Sequence, residues 1–301
     1  MASPLSVNAD DLRYLIAVAR TGRMVAAAAA LGIDHTTVGR RIRRLEAQLG
    51  TTLLVRSADG WELSETGKAI AERAGDIEAI VADVESIAAG HGDGLRGTIR
   101  IAAPDGFGVA IVAPALARVA REHPGVTPDL VTSSRPVSPR GTGFDLSINI
   151  GAPPSGRVES EHLTPYSLGL FASRDYLRAH DAIRTEDDLR GHPLIFYVDA
   201  LLSVDELDLL RWFSGARIGI GSTNVLAQVA ATRAGGGIGL LPHFLVAGEP
   251  TLEPVLRDAV RFDLEFSLSV RRESRDSPVV AVVRDAIRRE VTERRAELVA
   301  A

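Results

Sequence analysis

Apolar residues recur at helical spacing along the first fifty residues, and they predict three consecutive helices. The clearest stripe has four residues that step by four, three and four positions, namely Val38, Ile42, Leu45 and Leu49. Asp34 precedes this helix as a cap, and glycines end the two earlier helices, over about 10–20 and 24–31. A short helix, a glycine turn and an amphipathic helix form a helix-turn-helix.

The face of the third helix opposite this stripe is polar and cationic. Four arginines fall within the five residues from Arg40 to Arg44, and such a cluster indicates a polyanionic partner. Charged residues also commonly cover a helix face that is simply exposed to solvent. The alternative that these arginines have no partner therefore stays open. Extended stretches then flank residues 57–60, whose Asp-Gly pair predicts a tight hairpin, or wing.

A second helical pattern runs from Glu65 to Ala89. Its apolar positions step by four and three residues over three heptads, at Ile70, Ala74, Ile77, Val81, Val84 and Ala88. A lone helix would expose this seam, so the seam packs either on its own domain or against a second copy. Its length between two domains favours pairing, and the glycine-rich residues 91–97 predict a hinge.

From residue 98 onward, strand-like and helix-like segments alternate, which predicts α/β architecture with mostly parallel sheets. The predicted helices span about 108–122, 224–234 and 279–298. The strand-to-helix turns at 103–106 and 222–224 predict helix N-termini that bind anions or polar groups.

The composition is that of a globular protein, and its charge is unevenly distributed along the chain. The 301 residues are 46% hydrophobic and 24% charged, which is typical of a globular protein, and the length favours two domains. The net charge of −5 hides a basic N-terminal part, because residues 1–68 carry nine basic and seven acidic side chains whereas residues 69–93 carry one and six. The basic part therefore coincides with the helix-turn-helix.

The absence of several motifs argues against a metal site, a cofactor site, a catalytic site and a membrane location. It has no cysteine, no H-E-x-x-H, no G-x-S-x-G and no G-x-G-x-x-G, and its seven histidines are scattered. We expect no metal, no cofactor and no enzymatic activity. The longest apolar run has ten residues, Met24 to Ile33, against the ~20 that a membrane span needs. With no basic leader at the N-terminus, we expect a cytoplasmic protein.

Seven motifs follow one another along the chain. AAAALGIDHTTVGRRIRRLEAQLGTTLLVR is followed by LSETGKA, and then come GTIRIAAP, FDLSINIG, GLFASRDYL, GHPLIFY and AGGGIGLLP. Together they resemble the LysR-type transcriptional regulator family over nearly the whole chain. Three positions depart from the family pattern, since Arg23 replaces a small hydroxyl residue, Gly39 replaces serine and Leu54 replaces phenylalanine.

The resemblance implies a three-part architecture. A winged helix-turn-helix DNA-binding domain spans 1–64, a linker helix for dimerisation spans 65–93, and an effector-binding domain spans 94–301. The last resembles a periplasmic solute-binding protein, an α/β domain with two lobes, a ligand in the cleft between them, and crossovers near 166–168 and 264–268. The implied partners are promoter or operator DNA, a small-molecule effector and further copies of the chain in a homodimer or homotetramer.

On this interpretation seven residues contact DNA: His35, Thr36, Thr37, Arg40, Arg41, Arg44 and Arg56. The two threonines reach base edges in the major groove, and His35 either joins them or serves as a capping residue. The helix arginines divide between guanine edges and phosphates, and Arg56 in the wing contacts a phosphate.

Effector contacts are assigned from loop position to eight residues: Asp105, Phe107, Ser133, Ser134, Tyr197, Asp199, Thr223 and Asn224. Each has a plainer alternative, since Asp105 and Asn224 also suit helix caps and Ser133 suits a turn.

The function that follows is a sequence-specific transcriptional regulator in which a small molecule changes the geometry of the DNA-binding domains. The alternative is a cytoplasmic α/β small-molecule-binding protein, or an enzyme, whose N-terminal domain only mediates assembly. Salt dependence separates the two, because phosphate contacts make DNA affinity fall steeply with salt.

Overall fold

The computed structural model describes residues 7–57, 60–71, 73–75, 95–133, 144–151, 158–198, 215 and 217–299. The chain divides into two compact units. One is formed by Met1–Gly97 with Arg140–Gly143, and the other by Thr98–Pro139 with Phe144–Ala301.

The N-terminal unit contains three helices and a hairpin: α1 (Ala9–Thr21), α2 (Met24–Leu31), α3 (His35–Leu49), β1 (Leu54–Ser57) and β2 (Gly60–Leu63). Each helix ends at a glycine with positive φ, namely Gly22, Gly32 and Gly50. Other residues pay a steric cost in this left-handed region. The predicted helices, glycine turns and wing are thus confirmed.

The predicted stripe of α3 lies at the centre of this unit's core. Val38, Ile42 and Leu45 are fully buried, and they pack with Leu15 of α1. Leu49, the fourth residue of the stripe, is 36% exposed because it is the last residue of the helix.

Beyond the wing, residues 65–71 and 73–75 are helical, as predicted for the start of the linker. Ala71 and Ala74 are buried in the core of the N-terminal unit, so this start packs on its own domain. The rest of the predicted dimer seam, including Ile77 and Val84, lies outside the described residues.

The C-terminal unit contains strands β3 (Arg96–Pro104), β4 (Gly125–Ser133), β5 (Leu146–Ile150), β6 (Val158–Ser173), β7 (Pro193–Phe196), β8 (Arg217–Gly221), β9 (Ile238–Pro242), β10 (Leu252–Val255) and β11 (Arg261–Arg271). They form one sheet in the order β4-β3-β5-β11-β6-β9-β7-β8, with β10 paired to β6.

Its α-helices are α4 (Ala113–Glu122), α5 (Arg174–Ala179), α6 (Val225–Arg233), α7 (His243–Val246), α8 (Pro278–Glu293) and α9 (Arg295–Leu298), and 3-10 turns span Glu186–Gly191 and Arg272–Ser274. A helical turn at Asp105–Phe107 and a π-helical turn at Gly108–Val112 lead directly into α4. The helix expected from about residue 108 therefore begins three residues earlier. No helix in the described parts of the chain is long and apolar enough to cross a membrane.

The sheet is mixed, whereas mostly parallel sheets were predicted. β3 runs parallel to β5, and β7 runs parallel to both β8 and β9. The two long strands β6 and β11 run antiparallel to each other, and each is also antiparallel to a neighbour, β9 and β5 respectively. These two strands account for the difference, because they return the chain between two regions of parallel pairing.

β6 and β11 divide the unit into two lobes. The first lobe contains β3, β4, β5, α4 and α8, and the second contains β7, β8, β9, β10 and α6. Both long strands pass through the junction, where Tyr166 lies opposite Leu264. These residues fall inside the two predicted crossovers.

An aromatic cluster fills the junction between the lobes. Phe107 lies 4.2 Å from Phe266 and 6.1 Å from Phe244, measured between ring centroids. Tyr166 stacks on Phe266 at 4.1 Å. Because Phe107 comes from the first lobe and Phe244 follows β9 of the second, the cluster packs one lobe against the other.

Candidate functional site

The start of α3 is fixed by its cap. Asp34 Oδ1 accepts hydrogen bonds from the Thr36 hydroxyl at 2.5 Å and from the Thr36 amide at 2.8 Å. These bonds hold the pKa of the Asp34 carboxyl below its ordinary value. His35 Nδ1 lies 3.7 Å from Asp34 Oδ2, and the histidine side chain stays 61% exposed. Asp34 therefore orients Thr36, whereas His35 lies exposed beside it.

Two of the predicted DNA-contacting arginines face a buried carboxylate on α1. Arg41 Nη1 donates to Asp11 Oδ1 at 3.1 Å, and Arg44 Nε lies 3.7 Å from Asp11 Oδ2. The Asp11 side chain is fully buried, whereas those of Arg41 and Arg44 are 35% and 57% exposed. A buried carboxylate needs a compensating cation, and Arg41 also lies 5.7 Å above the Tyr14 ring. Arg41 thus anchors α3 on α1.

Arg40 has the opposite environment. Its side chain is exposed, and no ion pair joins it to any residue in the described part of the chain. Thr37, one turn earlier, is partly buried. Among the predicted contacts on α3, Arg40 is therefore the arginine best placed to meet an external anion.

The wing is attached to α3 by a carboxylate. Glu46 Oε1 accepts hydrogen bonds from the amides of Leu53, at 2.7 Å, and Leu54, at 3.1 Å. Arg56 is exposed on β1, opposite Trp61 of β2. Because Glu46 fixes β1 relative to α3, the structure brings Arg56 into the same small unit as the cationic helix face.

A polar bridge joins the lobes of the C-terminal unit. Asn224 Nδ2, before α6 of the second lobe, donates to Asp105 Oδ2, after β3 of the first lobe, at 3.0 Å. Asn224 Oδ1 also accepts from the amides of Leu226, at 2.9 Å, and Ala227, at 3.2 Å. Asn224 is therefore the N-cap of α6, which was the alternative to a ligand contact, and the cap already occupies amides that were expected to face a ligand.

Tyr197 lies close to this bridge. It follows β7 and is partly buried, and the pKa of its hydroxyl is raised by that burial and by the Asp105 carboxylate. Thr223, beside Asn224, is partly buried as well. The structure thus brings Asp105 close to Tyr197 and Asn224, which lie 92 and 119 positions later in the chain.

The lobes touch closely next to the bridge. A Cβ atom on Gly106 would lie 2.8 Å from Leu245 Cδ1 and 2.9 Å from Val225 Cγ1. Any side chain at this position would have to displace Leu245 and Val225, so the two lobes are in close contact here. The sequence placed Gly106 in the predicted turn at 103–106, but this contact was not predicted from it.

The remaining predicted effector residues have other surroundings. Phe107 is 1% exposed and belongs to the aromatic cluster, so in this conformation it packs in the core. Ser133 is the last residue of β4. Ser134 and Asp199 lie outside the described residues. Within the described ranges, no three His, Cys, Asp or Glu side chains are grouped to hold a metal ion.

Family comparison assigns both units. Residues 9–68 match the bacterial regulatory helix-turn-helix protein family of lysR type, and residues 92–292 match the LysR substrate binding domain. The chain belongs to the LysR family. It is a LysR-type transcriptional regulator, with a helix-turn-helix DNA-binding domain and an effector-binding domain.

Individual relatives agree with this assignment. The uncharacterized HTH-type transcriptional regulator YhjC of Escherichia coli (strain K12) is 28% identical over 242 residues, which cover 78% of this chain and 80% of YhjC. The HTH-type transcriptional activator TtdR of the same strain is 32% identical over 188 residues, 61% of this chain and 59% of TtdR. The chain thus spans less than two thirds of some curated relatives.

Solved structures share the fold. Full-length CbnR, crystallised in complex with its target DNA, superposes with a TM-score of 0.60 at 23% identity, and the match covers 94% of this chain and 100% of CbnR. At this identity the likeness supports the architecture of this LysR-type chain and not its ligands.

Two site residues of this regulator were missed from the sequence. Asp11 holds Arg41, and Glu46 holds the wing. Asp11 carried a signal, because it occupies a position on the apolar face of α1 four residues before Leu15. Glu46 had none, because its partners are backbone amides.

Proposed function

We propose that the exposed face of α3 binds the DNA major groove and that the wing binds the neighbouring phosphates. Arg40 and Thr37 read base edges, with His35 and Thr36 presented by Asp34. Arg44 and Arg56 contact phosphates. Arg41 acts as a positioning residue, because its guanidinium is bound to Asp11. The observation that supports this division is the contrast between exposed Arg40 and ion-paired Arg41.

Fluorescence anisotropy with operator DNA tests this proposal. Arg40→Ala is expected to weaken specific binding by roughly 1–3 kcal/mol and to relax the preference at one position of each half-site. Arg56→Ala is expected to weaken binding to all sequences alike and to reduce the salt slope by about one. Arg13→Ala, an exposed arginine on α1, is the matched control. Equal affinities for Arg40→Ala and Arg13→Ala would remove Arg40 from the interface.

We infer that the effector binds beside the Asp105–Asn224 bridge. The three side chains gathered there offer a carboxylate, an amide and a phenol from both lobes. A ligand that contacts both lobes shifts the balance between open and closed forms only by its difference in affinity for them. We therefore expect this domain to bind its ligand without converting it.

The predicted effector contacts in the cleft are tested through Thr223, which neighbours the bridge without forming it.

 Thr223→Val is expected to weaken the response to an effector while leaving operator binding without effector unchanged. Isothermal titration of a screened ligand, with and without operator, measures the coupling, which we expect at about 1–3 kcal/mol and reciprocal. Equal affinities in both conditions would mean that the domain binds without signalling.

We propose that the regulator acts as a homodimer or homotetramer in the cytoplasm, where its DNA is. Support for pairing comes from the heptad spacing around Ile77 and Val84 in the sequence. A charge in such a seam would be buried at a cost of several kcal/mol. Ile77→Asp is therefore expected to sediment at a lower mass than the parent chain at micromolar concentration, and an unchanged mass would place the seam elsewhere.

A further inference from the structure

A cavity lies in the second lobe, and its lining residues do not include Asp105 or Asn224 of the bridge. Its volume is about 250 Å³. The lining residues that matter chemically are Gly169, Phe171, His243, Arg257, Asp258 and Arg261. The cavity therefore combines two guanidinium groups, an imidazole and one carboxylate.

The cavity forms where β6 changes its pairing partner. β11 pairs with β6 as far as Arg261 opposite Gly169, and β10 takes over at Val255 opposite Leu170. The connecting residues 256–260 begin with Leu256, which has a positive φ of 50°. Such a conformation is uncommon for leucine, so the turn that carries Arg257 is specified by its surroundings.

His243 is held in a fixed orientation at the wall of this cavity. Its Nδ1 lies 3.1 Å from both the carbonyl oxygen and the hydroxyl of Ser167. The ring edge sits over Gly169, where a Cβ atom would lie 2.9 Å from Cε1 and 3.1 Å from Nε2. Nδ1 is thus engaged by Ser167. Nε2 is the ring nitrogen that lies beside Gly169, which lines the cavity. Ser167 can serve either neutral tautomer or the imidazolium, since it offers both a donor and an acceptor.

Two cationic side chains, Arg257 and Arg261, and one carboxylate, that of Asp263, influence the protonation of His243. Burial, followed by Arg261 and Arg257, lowers the pKa of His243, while the hydrogen bond with Ser167 and the Asp263 carboxylate act in the opposite direction. Arg261 Nε pairs with Asp263 Oδ1 at 2.8 Å, and Asp263 is 64% exposed. Both arginines have partners in the structure. A guanidinium carries five N–H donors, however, so it can bind an anion while one carboxylate remains in place.

We propose that this cavity binds a small oxyanion, the carboxylate, phosphate or sulfate group of a compact ligand, through Arg257, Arg261 and His243 Nε2. Liquid water occupies about 30 Å³ per molecule, so the cavity suits a group of a few heavy atoms with some water rather than a large effector. The site is separate from the proposed effector cleft. It adjoins the lobe junction, because Phe244 follows His243 and packs against Phe107.

Sulfate is the probe for this site, because it does not titrate between pH 5.5 and 8. The full-length protein is titrated with sodium sulfate by calorimetry, against sodium chloride at matched ionic strength, and the His243 ring resonances are followed by NMR. We expect saturable binding that moves the His243 resonances. Arg257→Gln and Arg261→Gln should each weaken binding about tenfold or more.

Arg174→Gln is the matched control, because Arg174 belongs to the same lobe and pairs with an exposed carboxylate, Glu253, at 2.9 Å. It should leave sulfate affinity unchanged. Saturation that persists in Arg257→Gln and Arg261→Gln would place the anion elsewhere, for example on the cationic face of α3, and would overturn the proposal. So would saturation without movement of the His243 resonances, or the absence of saturable binding.

A pH series separates a specific site from general salt effects. Sulfate binding should strengthen by up to tenfold per unit as the pH falls through the His243 pKa, because the imidazolium adds a charge and a donor beside Arg257, Arg261, Asp258 and Asp263. His243→Gln keeps an N–H donor without the titration, so its affinity should stay flat across the series. Equal pH dependence in both proteins would remove His243 from the site.

Discussion

Replacing Asn224 by Asp isolates the bridge between the lobes. Aspartate keeps the side-chain oxygen that caps the amides of Leu226 and Ala227, and it is a good N-cap residue. It removes only the amide donor to Asp105. The substitution therefore preserves α6 and sets two carboxylates against each other across the cleft.

The expected energy change is large on the scale of a conformational equilibrium. Loss of one hydrogen bond to a charged acceptor costs about 1.5–3 kcal/mol. Repulsion between two carboxylates ~3 Å apart adds up to about 5 kcal/mol at an effective dielectric constant of 20. Asp105 is only 8% exposed, so solvent screens this repulsion poorly. The chain relieves it either by opening the lobes or by binding a proton, because the repulsion favours the protonated form of one of the two carboxyls.

Hydrogen exchange measures the result. At pH 7.5, peptides from α6 and from the helical segment that begins at Asp105 should exchange faster in Asn224→Asp than in the parent chain. Protection should return as the pH falls, because a shared proton removes the repulsion. The double variant Asp105→Asn with Asn224→Asp reverses donor and acceptor and should restore protection at pH 7.5. Unchanged exchange in the single variant, or no recovery in the double variant, would refute a stabilising role for the bridge.

Three further variants test local features. Gly39→Ala should raise the free energy of unfolding by about 1 kcal/mol in urea denaturation, because the new Cβ would lie 3.8 Å from both Arg43 and Met24; a destabilised variant would contradict this. Arg23→Ser should add a similar amount, about 1 kcal/mol, because Arg23 is the N-cap of α2 but makes no side-chain cap bond; Arg23→Ala, which cannot cap, is the control. Burial, with His180 nearby, lowers the pKa of His192 below its ordinary 6.5, so the unfolded chain takes up a proton first and stability should fall as the pH drops below 6.5. In His192→Gln this pH slope should be smaller, and an identical slope would assign it to other groups.

Local patterns predicted the N-terminal unit well, for physical reasons. The α3 stripe, its Asp34 cap and the terminal glycines act within one or two turns of chain, so their geometry follows from spacing. The contrast between Arg40 and Arg41 did not follow from it, because it depends on Asp11, thirty residues earlier. Spacing predicts the face of a helix, and tertiary contacts decide which arginine on that face is engaged.

The C-terminal unit shows where such reasoning stops. The helix predicted over about 224–234 matches α6 (Val225–Arg233), because its start and end depend on local signals such as the Asn224 cap. The mixed sheet was missed, because the relative direction of β6 and β11 is set by pairing between residues 92 to 113 positions apart. The proposed oxyanion cavity was missed for a similar reason, since Gly169, Arg261 and His243 meet only where β6 pairs with both β11 and β9.

At the effector site proposed above, the bridge also limits how a ligand can act. Allosteric coupling energies are typically about 1–3 kcal/mol, and one charge-assisted hydrogen bond contributes about 1.5–3 kcal/mol. Replacing the Asp105–Asn224 hydrogen bond by ligand contacts is therefore sufficient to shift the equilibrium between the open and closed forms of the C-terminal unit. The aromatic cluster need not rearrange. A ligand that bonds to both residues would keep the lobes closed, whereas one that binds Asp105 alone would leave Asn224 to its cap and favour opening. Two ligands of similar affinity for this cleft can thus have opposite effects on DNA binding, according to whether they engage Asn224.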